Sequence, residues 1–120
     1  LASGKVQEAL PYLTQAEQGL GGLGNHPVVK ECLYFSGMAK AQTGDLEGAK
    51  TSFTNALPHL EGHQDWPKFV AAKSNLAGIA AQGGDKAAAK SLIEEAMKTA
   101  ETHGLKQEKK ELKKRLESLA

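Results

Sequence analysis

At 120 residues the chain has the length of one domain, with 40% hydrophobic and only 5% aromatic residues, a helix-forming composition poor in strand-favouring side chains. Fifteen Lys and Arg against fourteen Asp and Glu leave a formal net charge of +1, so no global field recruits nucleic acid or a membrane surface. No apolar run approaches the roughly 20 residues of a membrane-spanning helix, and the single cysteine, Cys32, excludes an intrachain disulfide and fits a reducing, cytoplasmic setting.

In chain order, residues 5–20 carry the apolar spacing of a helix, with Pro11 set inside it. Gly21-Gly22-Leu23-Gly24 reads as a loop, and Asn25-His26-Pro27 as a helix start, with Asn as cap and Pro in the first turn. The spacing predicts helices over 27–42 and 45–60, divided by Thr43-Gly44-Asp45. There, Gly allows a left-handed helix end and Asp caps the next helix. Pro58 predicts a kink or an early end of the second of these. Glu61-Gly62-His63-Gln64 reads as a loop, and Asp65-Trp66-Pro67 opens a helix over 67–82, with Trp66 expected to pack over the junction. Gly83-Gly84-Asp85 leads to a helix over 85–102, and a last, charged helix over 105–120 carries a thin apolar line of Leu105, Leu112, Leu116 and Leu119.

These elements recur. Gly4, Gly44 and Gly84 stand 40 residues apart, as do Ala9, Ala49 and Ala89, Leu13, Phe53 and Ile93, and Ala16, Ala56 and Ala96. A fixed period of this length marks stacked supersecondary units, none able to bury its apolar face alone. The expected architecture is an all-α, right-handed α-solenoid of antiparallel helix hairpins forming one domain over 1–120. It comprises a half-repeat helix (5–20), two repeats (27–62 and 67–103) and a capping helix (105–120). The chain lacks an initiating Met and opens within its own repeat, which predicts a piece of a longer protein.

The residues Leu33, Gly37, Gly44, Asp45, Ala49, Phe53 and Ala56 resemble the tetratricopeptide repeat. So do Leu76, Ala77, Gly84, Asp85, Ala89, Ile93 and Ala96. The family's usual unit is about 34 residues. The longer unit here, with its Asn/Asp-X-Pro start and Ser74-Asn75-Leu76-Ala77 segment, is similar to the repeats of kinesin light chains. Lys40 and Ala80 depart from the family by standing where it favours an aromatic.

The resemblance implies a scaffold whose concave groove binds a peptide or helical segment of a partner protein. Its lining would include Tyr34, Met38 and Gln42 from one helix, Ser74, Asn75 and Gln82 from the next, and Lys114 and Arg115 from the last. Tyr34 and Met38 lie one turn apart and suit either an adaptable apolar anchor or the core. Asn75 suits either gripping a partner's backbone, as an Asn at this place does in the family, or a local polar role. Some relatives clamp a terminal carboxylate with Lys, Asn and Arg. Only Asn75 and Arg115 fit that set here, Tyr34, Met38 and Glu111 replacing its other members, so such a clamp is not expected.

Other chemistry finds little support. From Lys106 to Glu117 the last helix has six Lys or Arg and three Glu, a net of 6 − 3 = +3. It reads as a solvated face supported by pairs such as Glu111 with Arg115, or as a patch for an acidic segment. His59 and His63 share i,i+4 spacing but lack a third metal ligand, and Cys32 has no oriented base, so neither a cofactor nor catalysis is expected. The rival reading is a structural module that docks onto other repeats or self-associates.

Overall fold

A computed structural model describes residues 27–119, and every regular element among them is an α-helix. The helices are α1 (Pro27–Gln42), α2 (Leu46–Gly62), α3 (Trp66–Gln82), α4 (Lys86–Thr102) and α5 (Lys106–Ser118). The helix expected over 5–20, its Pro11, the glycine loop after it and the Asn25 cap lie outside the described residues. None of the helices is long and apolar enough to cross a membrane.

Three-residue turns separate all five helices, so α2, α3, α4 and α5 begin 20 residues apart, at Leu46, Trp66, Lys86 and Lys106. Each turn contains one left-handed residue: Gly44 (φ 88°), Gln64 (φ 56°), Gly84 (φ 87°) and Gly104 (φ 68°). At Gly44 and Gly84 this conformation closes a paired helix-end motif. Asp45 N donates to Lys40 O at 2.9 Å and Gly44 N to Ala41 O at 3.2 Å. Asp85 N donates to Ala80 O at 2.9 Å and Gly84 N to Ala81 O at 3.0 Å. The aspartates then cap the next helix, Asp45 accepting from Gly48 N at 2.9 Å and Asp85 from Ala88 N at 3.0 Å. Asp65 makes no such side-chain cap bond; its carboxylate lies 3.4 Å from Lys68 Nζ.

Two expectations about α2 are corrected. Of the kink or early end expected at Pro58, the early end is not found: the helix runs to Gly62, so Glu61 and Gly62, expected in a loop, are helical and the turn is only His63-Gln64-Asp65. Pro58 and Thr54, whose carbonyl loses its usual donor, are both exposed, so water can take up the lost bond.

The chain divides into two compact units at the His63–Gln64 junction. In the first unit α1 packs on α2. Val29, Leu33, Tyr34 and Ala39 of α1 and Ala49, Phe53, Ala56 and Leu60 of α2 are buried. Gly37 meets the face of Phe53 so closely that a Cβ there would sit 2.9 Å from the ring. In the second unit Val70 and Ala77 of α3, Ala89, Ile93, Ala96 and Ala100 of α4 and Leu112 of α5 form one cluster. Leu105, Leu116 and Leu119 pack against it, so the thin leucine line of α5 faces α4. Ile93 and Ala77 stand 40 residues after Phe53 and Gly37. The second unit thus fills the same contact with a smaller large residue and a larger small one.

Trp66 stands within the second unit, stacked on His103 with ring centroids 4.1 Å apart and planes 12° from parallel, and edge-on to Phe69 at 5.5 Å. Because α3 and α4 are equally long and antiparallel, the start of one meets the end of the other. The stack joins them there.

Candidate functional site

In the second unit α3 and α5 flank a groove of about 380 Å³, lined by Val70, Ala71, Ser74, Asn75, Glu108, Glu111, Leu112 and Arg115. Val70 and Leu112 belong to the core, so the floor is apolar while the walls are polar. Three of the residues expected to contact a partner therefore converge: Ser74, Asn75 and Arg115.

Arg115 spans the groove. Its Nη1 donates to Ser74 O at 2.8 Å and to Ser74 Oγ at 2.7 Å, joining residues 41 positions apart. Gly78, one turn beyond Ser74, lies beside this path, and a Cβ there would meet the same nitrogen at 3.9 Å, an ordinary contact. The expected i,i+4 pair of Glu111 with Arg115 is replaced. Glu111 instead accepts from Gln107 Nε2 at 3.1 Å, while the arginine turns to α3, where both a carbonyl and a hydroxyl accept from it.

Asn75 is half-buried in the wall, and its side-chain amide makes no hydrogen bond among the described residues. A side-chain amide offers a donor and an acceptor on one planar head, the pair needed to bind a peptide unit. Glu108 and Glu111 put two carboxylates into the same groove, and Arg115 is already engaged. A partner's terminal carboxylate would meet like charge there.

The other expected contact residues are dispersed. Gln82 and Lys114 are exposed and line no part of this groove. In the first unit Tyr34 is only 9% exposed, with its ring edge-on to Phe53 at 6.1 Å, so its bulk belongs to the hairpin core. Met38 is half-buried and Gln42 exposed. Cys32 is buried. Among the described residues no group of three or more His, Cys, Asp or Glu is placed to hold a metal ion. Glu108 was missed by sequence reasoning. It lies one turn from Glu111 and Leu112 on α5, and its spacing would have placed it beside them once α5 was read as part of the wall.

No protein-family model, curated protein or solved structure matches this chain.

Proposed function

We propose that this chain is a protein-interaction scaffold of the tetratricopeptide-repeat type, its hairpins forming turns of a right-handed solenoid, that works in the cytoplasm and holds an extended or helical segment of a partner protein. The observation that carries this reading is the groove between α3 and α5, with the unengaged amide of Asn75 in its wall and Arg115 anchored across it. Asn75 grips the partner's backbone, while Ser74 and Arg115 act as one preformed polar ledge. Gln82 and Lys114 contribute at the margins. Met38 and Gln42 serve the equivalent place in the first repeat, with Tyr34 supporting them from beneath.

Affinity capture with wild-type and Asn75→Ala chains, read by quantitative mass spectrometry, tests the proposal. Because the amide of Asn75 makes no hydrogen bond among the described residues, its loss leaves the melting temperature nearly unchanged, within a change of about 0.5 kcal/mol in stability. The expected result is a set of proteins held by wild type and lost from the variant. An identical set retained by both overturns the groove assignment.

A further inference from the structure

A second groove, sharing no lining residue with the first, lies where the start of α4 meets the end of α5. It has a volume of about 430 Å³ and is lined by Lys86, Ala87, Lys90, Leu116, Glu117 and Leu119. Leu116 and Leu119 also pack on the unit's core, so the apolar floor is fixed from beneath. We infer that this groove docks an amphipathic helix of a partner protein, with its apolar face on Ala87, Leu116 and Leu119 and an acidic flank along Lys86 and Lys90.

The charge argument comes from α4. Unpaired backbone N–H groups make a helix start electropositive, which favours acidic side chains in the first turn. The equivalent first turn of α2 carries Glu47, whereas that of α4 carries no acid and begins with Lys86. Lys90 follows one turn later, and neither lysine makes an ion pair among the described residues. Asp85 already caps this helix start, accepting from Ala88 N at 3.0 Å, so the positive potential over the apolar floor comes from the two ammonium groups, and Lys86 holds its place in the first turn at a cost to α4. A carboxylate-bearing helix removes that cost on binding.

A further repeat helix fits this place poorly. The position that approaches the paired helix is Gly37 in α1 and Ala77 in α3, against Phe53 and within the Ile93 cluster respectively. In α5 the same register position is Glu117. A helix presenting a large apolar residue there would bury a carboxylate unpaired. An occupant with a donor opposite Glu117 and acids opposite the lysines satisfies both rims.

The test uses the chain of 120 residues and two fluorescein-labelled synthetic helices of about 18 residues, long enough to hold helical structure. One carries Leu at i, i+3, i+4 and i+7 with Glu along one flank; its twin carries Lys for each Glu. Fluorescence anisotropy is expected to show the acidic helix binding wild type about tenfold more tightly or better. Lys86→Glu with Lys90→Glu reverses that preference, and its melting temperature holds or rises, because an acid now occupies the first turn of α4. Ala87→Arg, at an exposed position, abolishes binding although it adds positive charge. Equal affinity for both helices, or undiminished binding to Ala87→Arg, overturns the inference. So does sedimentation showing wild type self-associating through this face while Ala87→Arg stays monomeric, since the occupant would then be a second copy.

Discussion

The contact between Gly37 and Phe53 allows a quantitative test of the repeat, by exchanging a pair of side chains between the two units. An alanine Cβ at position 37 would lie 2.9 Å from Cδ1 and Cε1 of Phe53 and 3.0 Å from Cγ. Carbon atoms rest at about 3.5–4.0 Å, so the ring must move by roughly half an ångström. Phe53 is fully buried and edge-on to Tyr34, which leaves it little room. Overpacking of this kind costs about 1–3 kcal/mol, while Gly→Ala in a helix interior returns about 1 kcal/mol. Gly37→Ala alone is therefore expected to destabilise the first unit by about 0–2 kcal/mol. Phe53→Ile alone leaves a void beside Gly37 and costs about 1–3 kcal/mol. The double variant installs the Ala77–Ile93 combination of the second unit, and the two changes should rescue each other by about 1 kcal/mol or more. Amide hydrogen exchange over α1 and α2 reads the opening of this unit separately from the other, which a single melting curve would not. Additivity within about 0.5 kcal/mol, or a Gly37→Ala chain stabilised by the whole helix-propensity gain, would refute the reasoning.

Gln64 holds a left-handed conformation at 56° that the three equivalent turns give to glycine; Gln64→Gly should raise thermal stability by about 0.5–1 kcal/mol after the added unfolded-state entropy is counted. Ser36 is wholly buried and its hydroxyl has no hydrogen-bond partner among the described residues; Ser36→Ala is expected to stabilise by about 1 kcal/mol in urea unfolding, and a loss of stability would show that the hydroxyl is satisfied. Trp66 is the sole tryptophan and lies flat on His103; His103→Ala should shift its fluorescence to longer wavelength as water reaches the indole, and an unchanged spectrum would place the stack elsewhere.

Helix positions were largely legible because the chain marks its own boundaries. Gly-Asp at 44–45 and 84–85 supplies both a helix end and the next cap, and the observed helices begin and end within two residues of those signals. Gln64 was not legible as a left-handed residue, since nothing in a glutamine favours that conformation and only its place 20 residues from Gly44 and Gly84 identifies it. The helix continues past Pro58 rather than ending early because the cost of an interior proline depends on whether water reaches the vacated carbonyl, a property of burial rather than of sequence. At the candidate site the resemblance to the repeat family implied a groove lining of Ser74 and Asn75 on α3, but the 41-residue reach of Arg115 to Ser74 depends on how α5 crosses the hairpin. Tyr34 suited groove and core equally by spacing; the ring of Phe53, 19 positions on, places its bulk in the core.

The measurement that bears most directly on the proposed function is a nitrogen-15 correlation spectrum of the chain, titrated with the partner segment recovered by capture. The account expects the side-chain amide of Asn75 to shift first and furthest, with the backbone amides of Ser74 and Arg115 following and Glu108 reporting from the opposite wall. Saturable binding that leaves these resonances in place would contradict it, because the partner would then sit on some other surface.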